Sequence, residues 1–235
     1  MKLIKILAIA LFSAAYLTTA SAANSRAKVI YEGNKARAVE AVLSAANSKT
    51  VDIRRVIEDG NFVVTHGRYL SDNDATLGFE IFKFEGDKIV DRASNFQKDT
   101  GVNPSGRTGL DGPYIVGDLD KTESNKRLVE SYFSDAFLKG DFSNFETYFD
   151  GDHYIQHNLA IPDGISALFA YITDLADNGV TVKFEKIVKV VAEGNFVLIV
   201  SEAVYGDQPT SFYDLYHVVN GKIAEHWDVI GPLRE

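Results

Sequence analysis

The pentapeptide GNFVV at residues 60–64 returns as GNFVL at 194–198, and this repeat constrains the fold more than any other feature of the chain. The same offset of 134 residues lays Thr76 on Thr210, FEIFKF at 79–84 on YDLYHV at 213–218, and KIVD at 88–91 on KIAE at 222–225. No gap is needed from Val56 to Ser94. Agreement at one fixed offset, with matching hairpins, implies two copies of one α+β unit, too few and too divergent for a solenoid.

Residues 122–235 hold the fuller copy. TESNKRLVESYFSDAFLKG, from Thr122, sets Leu128, Val129, Tyr132, Phe133, Ala136 and Phe137 at helical spacing and is ended by Gly140. DFSNFETYF reads as a short second helix, HYIQHN as a short strand, and ISALFAYITDLADN as a third helix stopped near Gly179. Long strands with turn signals follow: VKFEKIVKVVAE, NFVLIVSEAVYG, and the hairpin pair SFYDLYHVV and KIAEHWDVI. Residues 23–98 supply a counterpart of the third helix, NKARAVEAVLSAANS, and of the strands, but not of the two leading helices, so the first copy reads as trimmed. Residues 99–121 are rich in Gly and carry Pro104 and Pro113, the composition of a linker over a surface. Helices followed by a meander of long strands imply a curved antiparallel sheet wrapped on helices, a cone with a mostly apolar pocket. The first copy lacks part of that helical cover, which its helix, the linker or the second copy must then supply.

Residues 1–22 read as a signal peptide: a basic start with Lys2 and Lys5, the apolar run ILAIALFSAAYL, and the A-x-A pattern Ala20-Ser21-Ala22. That run is too short to span a bilayer and no second one follows, so no membrane contact is expected after cleavage. The net charge is −9 before the two leader lysines are removed, which argues against nucleic acid as a partner. The chain has no cysteine, hence no disulfide and no thiol nucleophile. An exported protein without disulfides fits the bacterial periplasm. No GxGxxG, Walker, GxSxG or HExxH pattern occurs, so no cofactor is expected. His153 and His157 are four apart, but on a strand, and make no metal-ligand spacing, so no metal is expected.

The chemistry gathers near YHVVNGKIAEHWDVIG at 216–231. Asn220-Gly221 suits a two-residue hairpin loop. That register sets Val218 opposite Ile223, Tyr216 opposite Glu225 and Asp214 opposite Trp227, on one face with Val229. His217, His226 and Asp228 then fall on the other face, where they suit a sheet-packing interface. A bulge would shift the pairing by one. With the Trp227 face inside the cone, Asp214 is a carboxylate on an apolar wall, either an acid/base group or simply the acceptor of a structural hydrogen bond. Tyr216 or Tyr154 could donate to a developing enolate oxygen. His157 is a second catalytic candidate that orients Asp214 or carries a second proton, or else is structural, and Asn158 either positions a carbonyl or shapes a turn. Phe169, Tyr216 and Trp227 are the expected walls, and Glu225, His226 and Asp228 are secondary candidates.

YIQHN at 154–158 followed by Asp163-Gly164, together with FYDLYHVVNGKIAEHWD at 212–228, resembles the SnoaL-like branch of the nuclear transport factor 2-like superfamily, in particular two-copy bacterial proteins described as predicted aldol-condensation enzymes. The resemblance implies tandem cystatin-like cone folds and an acid/base role for Asp214. The family carries Pro where this chain has Leu159. It also implies that the EHWD-like residues recur in the first copy, where this chain has DRAS at 91–94, so that copy is expected to have lost its site. Sheet-to-sheet dimers occur in the superfamily, and a duplicated chain can instead pair its own two sheets. The expected partner is a small apolar or carbonyl-containing molecule. The expected activity is cofactor-free cyclase, isomerase or aldol-type proton transfer, with a non-catalytic ligand-binding module or a protein-interaction scaffold as the alternatives.

Overall fold

The computed structural model describes residues 30–46, 50–72 and 74–233. The expected signal peptide at residues 1–22 lies outside them. Four antiparallel strands, β1 (Thr50–Asp59), β2 (Phe62–Ser71), β3 (Asp74–Glu85) and β4 (Lys88–Lys98), form one sheet in chain order after helix α1 (Gly33–Ala45). The second half opens with α2 (Thr122–Phe133), which continues into a π-helical turn at Ser134–Leu138, followed by the single turn α3 (Phe145–Tyr148). The two-residue strand β5 (Ile155–Gln156) and helix α4 (Ile165–Asp177) lead into a meander of β6 (Val182–Glu193), β7 (Phe196–Tyr205), β8 (Gln208–Val219) and β9 (Lys222–Pro232). The order in this sheet is β5-β9-β8-β7-β6, with β5 parallel to β9.

The two meanders share their registers. Phe62 pairs with Lys83 and Phe196 with His217; Thr76 pairs with Lys98 and Thr210 with Pro232. The bulges after Lys83 and after His217 also coincide at the offset seen in the sequence.

Burial arranges these elements in four layers. The stripe of Val129, Tyr132 and Phe133 on α2 and Ala136 on its π-helical turn packs with α3, α4 and the face of the second sheet that carries Val197, Ile199, Tyr216 and Val218. The opposite face, with Phe196, Leu198, Leu215, Trp227 and Val229, packs on Ile57, Val64, Leu77, Phe79 and Ile81 of the first sheet. The far side of that first sheet takes Ala38, Val39 and Val42 of α1 against Val63, Phe82 and Phe84. The sheets stack in the same strand order, β1 near β6 and β4 near β9. The chain thus pairs its own two sheets, and both faces are buried along central strands such as β7 and β8, while β4 and β6 stay largely exposed or half-buried.

Residues 99–121 run largely exposed or half-buried between the halves and are pinned down at a few buried positions. Leu110 and Asn103 are buried, and Asn103 Nδ2 donates to the carbonyls of Gln156 at 2.8 Å and Ile161 at 2.9 Å. The buried Arg55 guanidinium donates to the carbonyls of Pro113 (2.8 Å), Leu110 (3.5 Å) and Asp111. Turn-rich backbone carries many carbonyls that need donors once buried, and Arg55 supplies them from the first sheet. The segment is a clasp between the halves.

Candidate functional site

The hairpin joining β8 and β9 has the expected two-residue turn, with positive φ at both Asn220 (51°) and Gly221 (75°). Val219 opposite Lys222 and Val218 opposite Ile223 also match the expectation. The register then shifts: His217 pairs with Glu225, leaving Ala224 as the extra residue of a bulge. Every later residue of β9 changes face. Asp214 lies opposite Asp228 and Tyr216 opposite His226, while Trp227 pairs with Leu215 on the far side.

The face that carries Asp214, Tyr216, His226 and Asp228 floors a cavity of about 530 Å³ under α2 and α4. Its walls are apolar: Phe133 and Phe137, then Leu168, Ile172 and Leu175 of α4, with Phe184 and Phe212 of the sheet. Tyr132, Tyr154, Gln156 and Asn158 complete the polar end.

Hydrogen bonds in this polar end fix a protonation pattern. Gln156 Oε1 accepts the backbone N–H groups of His157 and Asn158, both at 3.0 Å, which only the amide oxygen can do. His226 Nδ1 faces that same oxygen at 2.8 Å, so Nδ1 carries hydrogen and donates. His226 Nε2 then faces Asp214 Oδ1 at 3.0 Å, a contact that requires one proton held between imidazole and carboxyl. Asn158 Nδ2 donates to Asp228 Oδ2 at 2.6 Å, and the backbone N–H of Ala160 fixes Asn158 by donating to its Oδ1 at 2.8 Å. Four buried atoms of this end have no hydrogen-bond partner among the described residues: Asp214 Oδ2, Asp228 Oδ1, Tyr132 Oη and Gln156 Nε2. Two acceptors and two donors are therefore left for a ligand. Burial, with Asp214 nearby, raises Tyr132, Tyr154 and Tyr216, so their hydroxyls stay protonated as donors.

Burial and the neighbouring Asp214 carboxylate push Asp228 from 3.8 up to about 6, against the pull of His226 and Asn158. A raised carboxyl pKa stabilises the fold fully below pH 3.8, and that contribution is lost as pH rises through about 6. Asp228→Asn is therefore expected to be more stable than the parent at neutral pH, by up to about 3 kcal/mol, with no advantage in acid. Melting curves of both proteins across this range check it. Equal differences at acid and neutral pH would exclude a carboxyl raised by its surroundings.

Asp214, His226 and Asp228 also offer three ligand atoms within 4.8 Å of one another, among the described residues a grouping suited to a metal ion. The sequence gives no such spacing, since the set forms only across the bulged hairpin. A metal here would have to displace the proton between His226 and Asp214.

The other expected site residues divide. Tyr154, Asn158 and Tyr216 line the cavity with Asp214. Trp227 does not: it is fully buried between the sheets, its Nε1 donates to Asp111 O at 3.0 Å, and Arg55 lies 3.9 Å over its ring. His157 stacks on the same indole at 4.6 Å, with Nδ1 on Thr108 O at 3.0 Å and Nε2 on Glu225 Oε2 at 3.1 Å, and does not meet Asp214. Burial alone would raise Glu225, but His157 and His217 outweigh it and hold that carboxyl down at about 2. Phe169 packs with Phe142 and Phe145 and leaves the cavity side of α4 to Leu168, Ile172 and Leu175. His226 and Asp228, expected at a sheet interface, are cavity residues, and the interface belongs to Trp227 and Leu215. The expectation of faces failed because the bulge inverts β9. Gln156 and Tyr132 were not singled out; strand alternation alone puts Gln156 and Asn158 on one face and His157 on the other.

In the first half, Glu80 and Arg92 occupy the positions that correspond by offset to Asp214 and His226. Glu80 is buried and accepts from Arg92 and from Tyr69 Oη at 2.6 Å, which leaves an ion pair where the second half has its acid–imidazole pair.

Residues 129–226, the cavity-bearing part of the chain, match the family model of the SnoaL-like domain. Two solved structures are similar at low identity. One is a candidate ketosteroid isomerase from Kribbella flavida DSM 17836, with 14% identity and a TM-score of 0.40 over 49% of this chain and 83% of that chain. The other is TsrD from Streptomyces laurentii, with 20% identity and a TM-score of 0.36 over 46% of this chain and 88% of that chain. No curated protein matches the sequence.

Proposed function

We propose that the second half is a cofactor-free acid/base catalyst of the isomerase or cyclase type, acting on an apolar carbonyl compound in the cavity. The observation that carries this is the buried Asp214–His226 hydrogen bond, with its proton fixed in place by Gln156. His226 engages Asp214 at Oδ1 and leaves Oδ2 open to take a proton from the carbon next to a carbonyl. The carbonyl oxygen accepts from Tyr132 Oη or Gln156 Nε2, donors already desolvated, as negative charge moves onto it in the enolate. The proton then returns from Asp214 to a different atom of the substrate, and the enzyme ends in its starting state.

The rest of the reading follows from the sequence. The chain is exported through residues 1–22, with the periplasm as destination. Residues 23–98 and 122–235 are tandem copies of one cone unit, the first trimmed and without a working site, and the shared registers support this origin. The sheet face that a homodimer would use is taken up by packing between the halves.

Incubation with small apolar ketones in deuterated buffer, followed by NMR, tests the chemistry without knowledge of the natural substrate. The expected result is exchange of α-hydrogens well above the buffer rate. Ketone binding without exchange would make the cavity a binding module, and neither binding nor exchange would leave the scaffold reading.

A further inference from the structure

The charges around the cavity do not balance. Two buried carboxyls, Asp214 and Asp228, are 5% and 6% exposed and each turns an unpartnered oxygen to the cavity. The single proton held between Asp214 and His226 compensates only one of them. The hydrogen-bond partner of the Asp228 side chain is the neutral amide of Asn158. Among the described residues no lysine or arginine lines the cavity; Arg55 lies on the other side of the sheet, committed to the clasp and to Trp227. A buried carboxylate without a partner is costly, and it is relieved either by a proton or by a cation brought in from outside. The rings of Tyr132, Tyr154 and Tyr216 stand around the same floor, and electron-rich ring faces favour a positive charge.

We propose that the cavity selects ligands that carry a protonated amine on an apolar body, with the ammonium donating to Asp214 Oδ2 and Asp228 Oδ1 and the body against Phe133, Leu168 and Phe212. Anionic ligands, such as carboxylates and phosphate esters, are excluded by the same two carboxyls. This rests on the cavity being the ligand site, not on the proton-transfer chemistry. For a carbonyl substrate it adds that the molecule is basic.

The test is a calorimetric titration of the EDTA-treated full chain at neutral pH with three compounds of one shape: naphthylmethylamine, naphthalenemethanol and naphthoate. The amine is expected to bind roughly tenfold more tightly than the alcohol, and the carboxylate not at all. In Asp228→Asn the amine's advantage is expected to fall below about threefold while the alcohol binds as before. Equal affinity of amine and alcohol for the parent protein overturns the proposal, whatever the variant does. So does measurable binding of naphthoate, or failure of all three to bind at millimolar concentration. Ketone exchange that persists alongside equal affinities would sink the charge preference and leave the catalytic reading standing.

Discussion

Asp214→Asn is expected to slow α-hydrogen exchange of a bound ketone by about a thousandfold, within the range of a positioned acid/base group. The amide keeps the size of the carboxyl and can still accept the His226 Nε2 hydrogen through its oxygen, so the fold should hold. What disappears is the basic Oδ2, replaced by an NH2 that cannot take a proton. Binding should change far less than rate, because the apolar walls are untouched. Exchange kinetics of both proteins at saturating ketone, with circular dichroism to confirm folding, separate the two effects. A variant within tenfold of the parent would reduce Asp214 to a structural acceptor for His226.

Trp227→Ala should act on stability and leave the cavity alone. Trp227 is fully buried, with Arg55 on its ring, His157 stacked against it and its N–H on Asp111 O. Truncation removes the largest side chain of the inter-sheet core and also strips a donor from a clasp carbonyl. A loss of about 3–5 kcal/mol is expected, which for a chain of this size lowers Tm by on the order of 10 °C. Ligand affinity measured well below the new Tm should remain within about threefold of the parent, since no atom of the indole reaches the cavity. A selective loss of binding with Tm preserved would put the indole at the ligand and contradict the register of the hairpin.

That register marks where the sequence stops being legible. The meanders, the Asn220-Gly221 turn and the helices all follow from turn residues and apolar spacing, and the fixed offset anticipates registers that coincide through β2–β3–β4 and β7–β8–β9. The bulge at Ala224 does not follow. A one-residue slip is readable when one face of a strand is polar and the other apolar. On β9 both faces are buried, one under the helices and one against the first sheet, so Ile223, Trp227 and Val229 give no alternation to violate. The same double burial made Trp227 look like a cavity wall. The clasp was hidden for another reason. Gly- and Pro-rich composition reports a chain that turns often, not whether its carbonyls meet water or the guanidinium of Arg55.

The stacking of the two sheets has a practical consequence for anyone who would re-engineer this molecule. Strand β9 carries its acid and imidazole on one side and, one residue out of step, the tryptophan that packs it on its neighbour sheet. The first half therefore serves as a backing plate for the cavity half, much as a rigid mount serves an optical surface. Cutting the cavity half free as a minimal catalyst would bare an oily plane of Phe196, Leu198, Leu215, Trp227 and Val229. A stand-alone version would need that plane rebuilt in polar residues without disturbing the alternate positions that aim Asp214, His226 and Asp228.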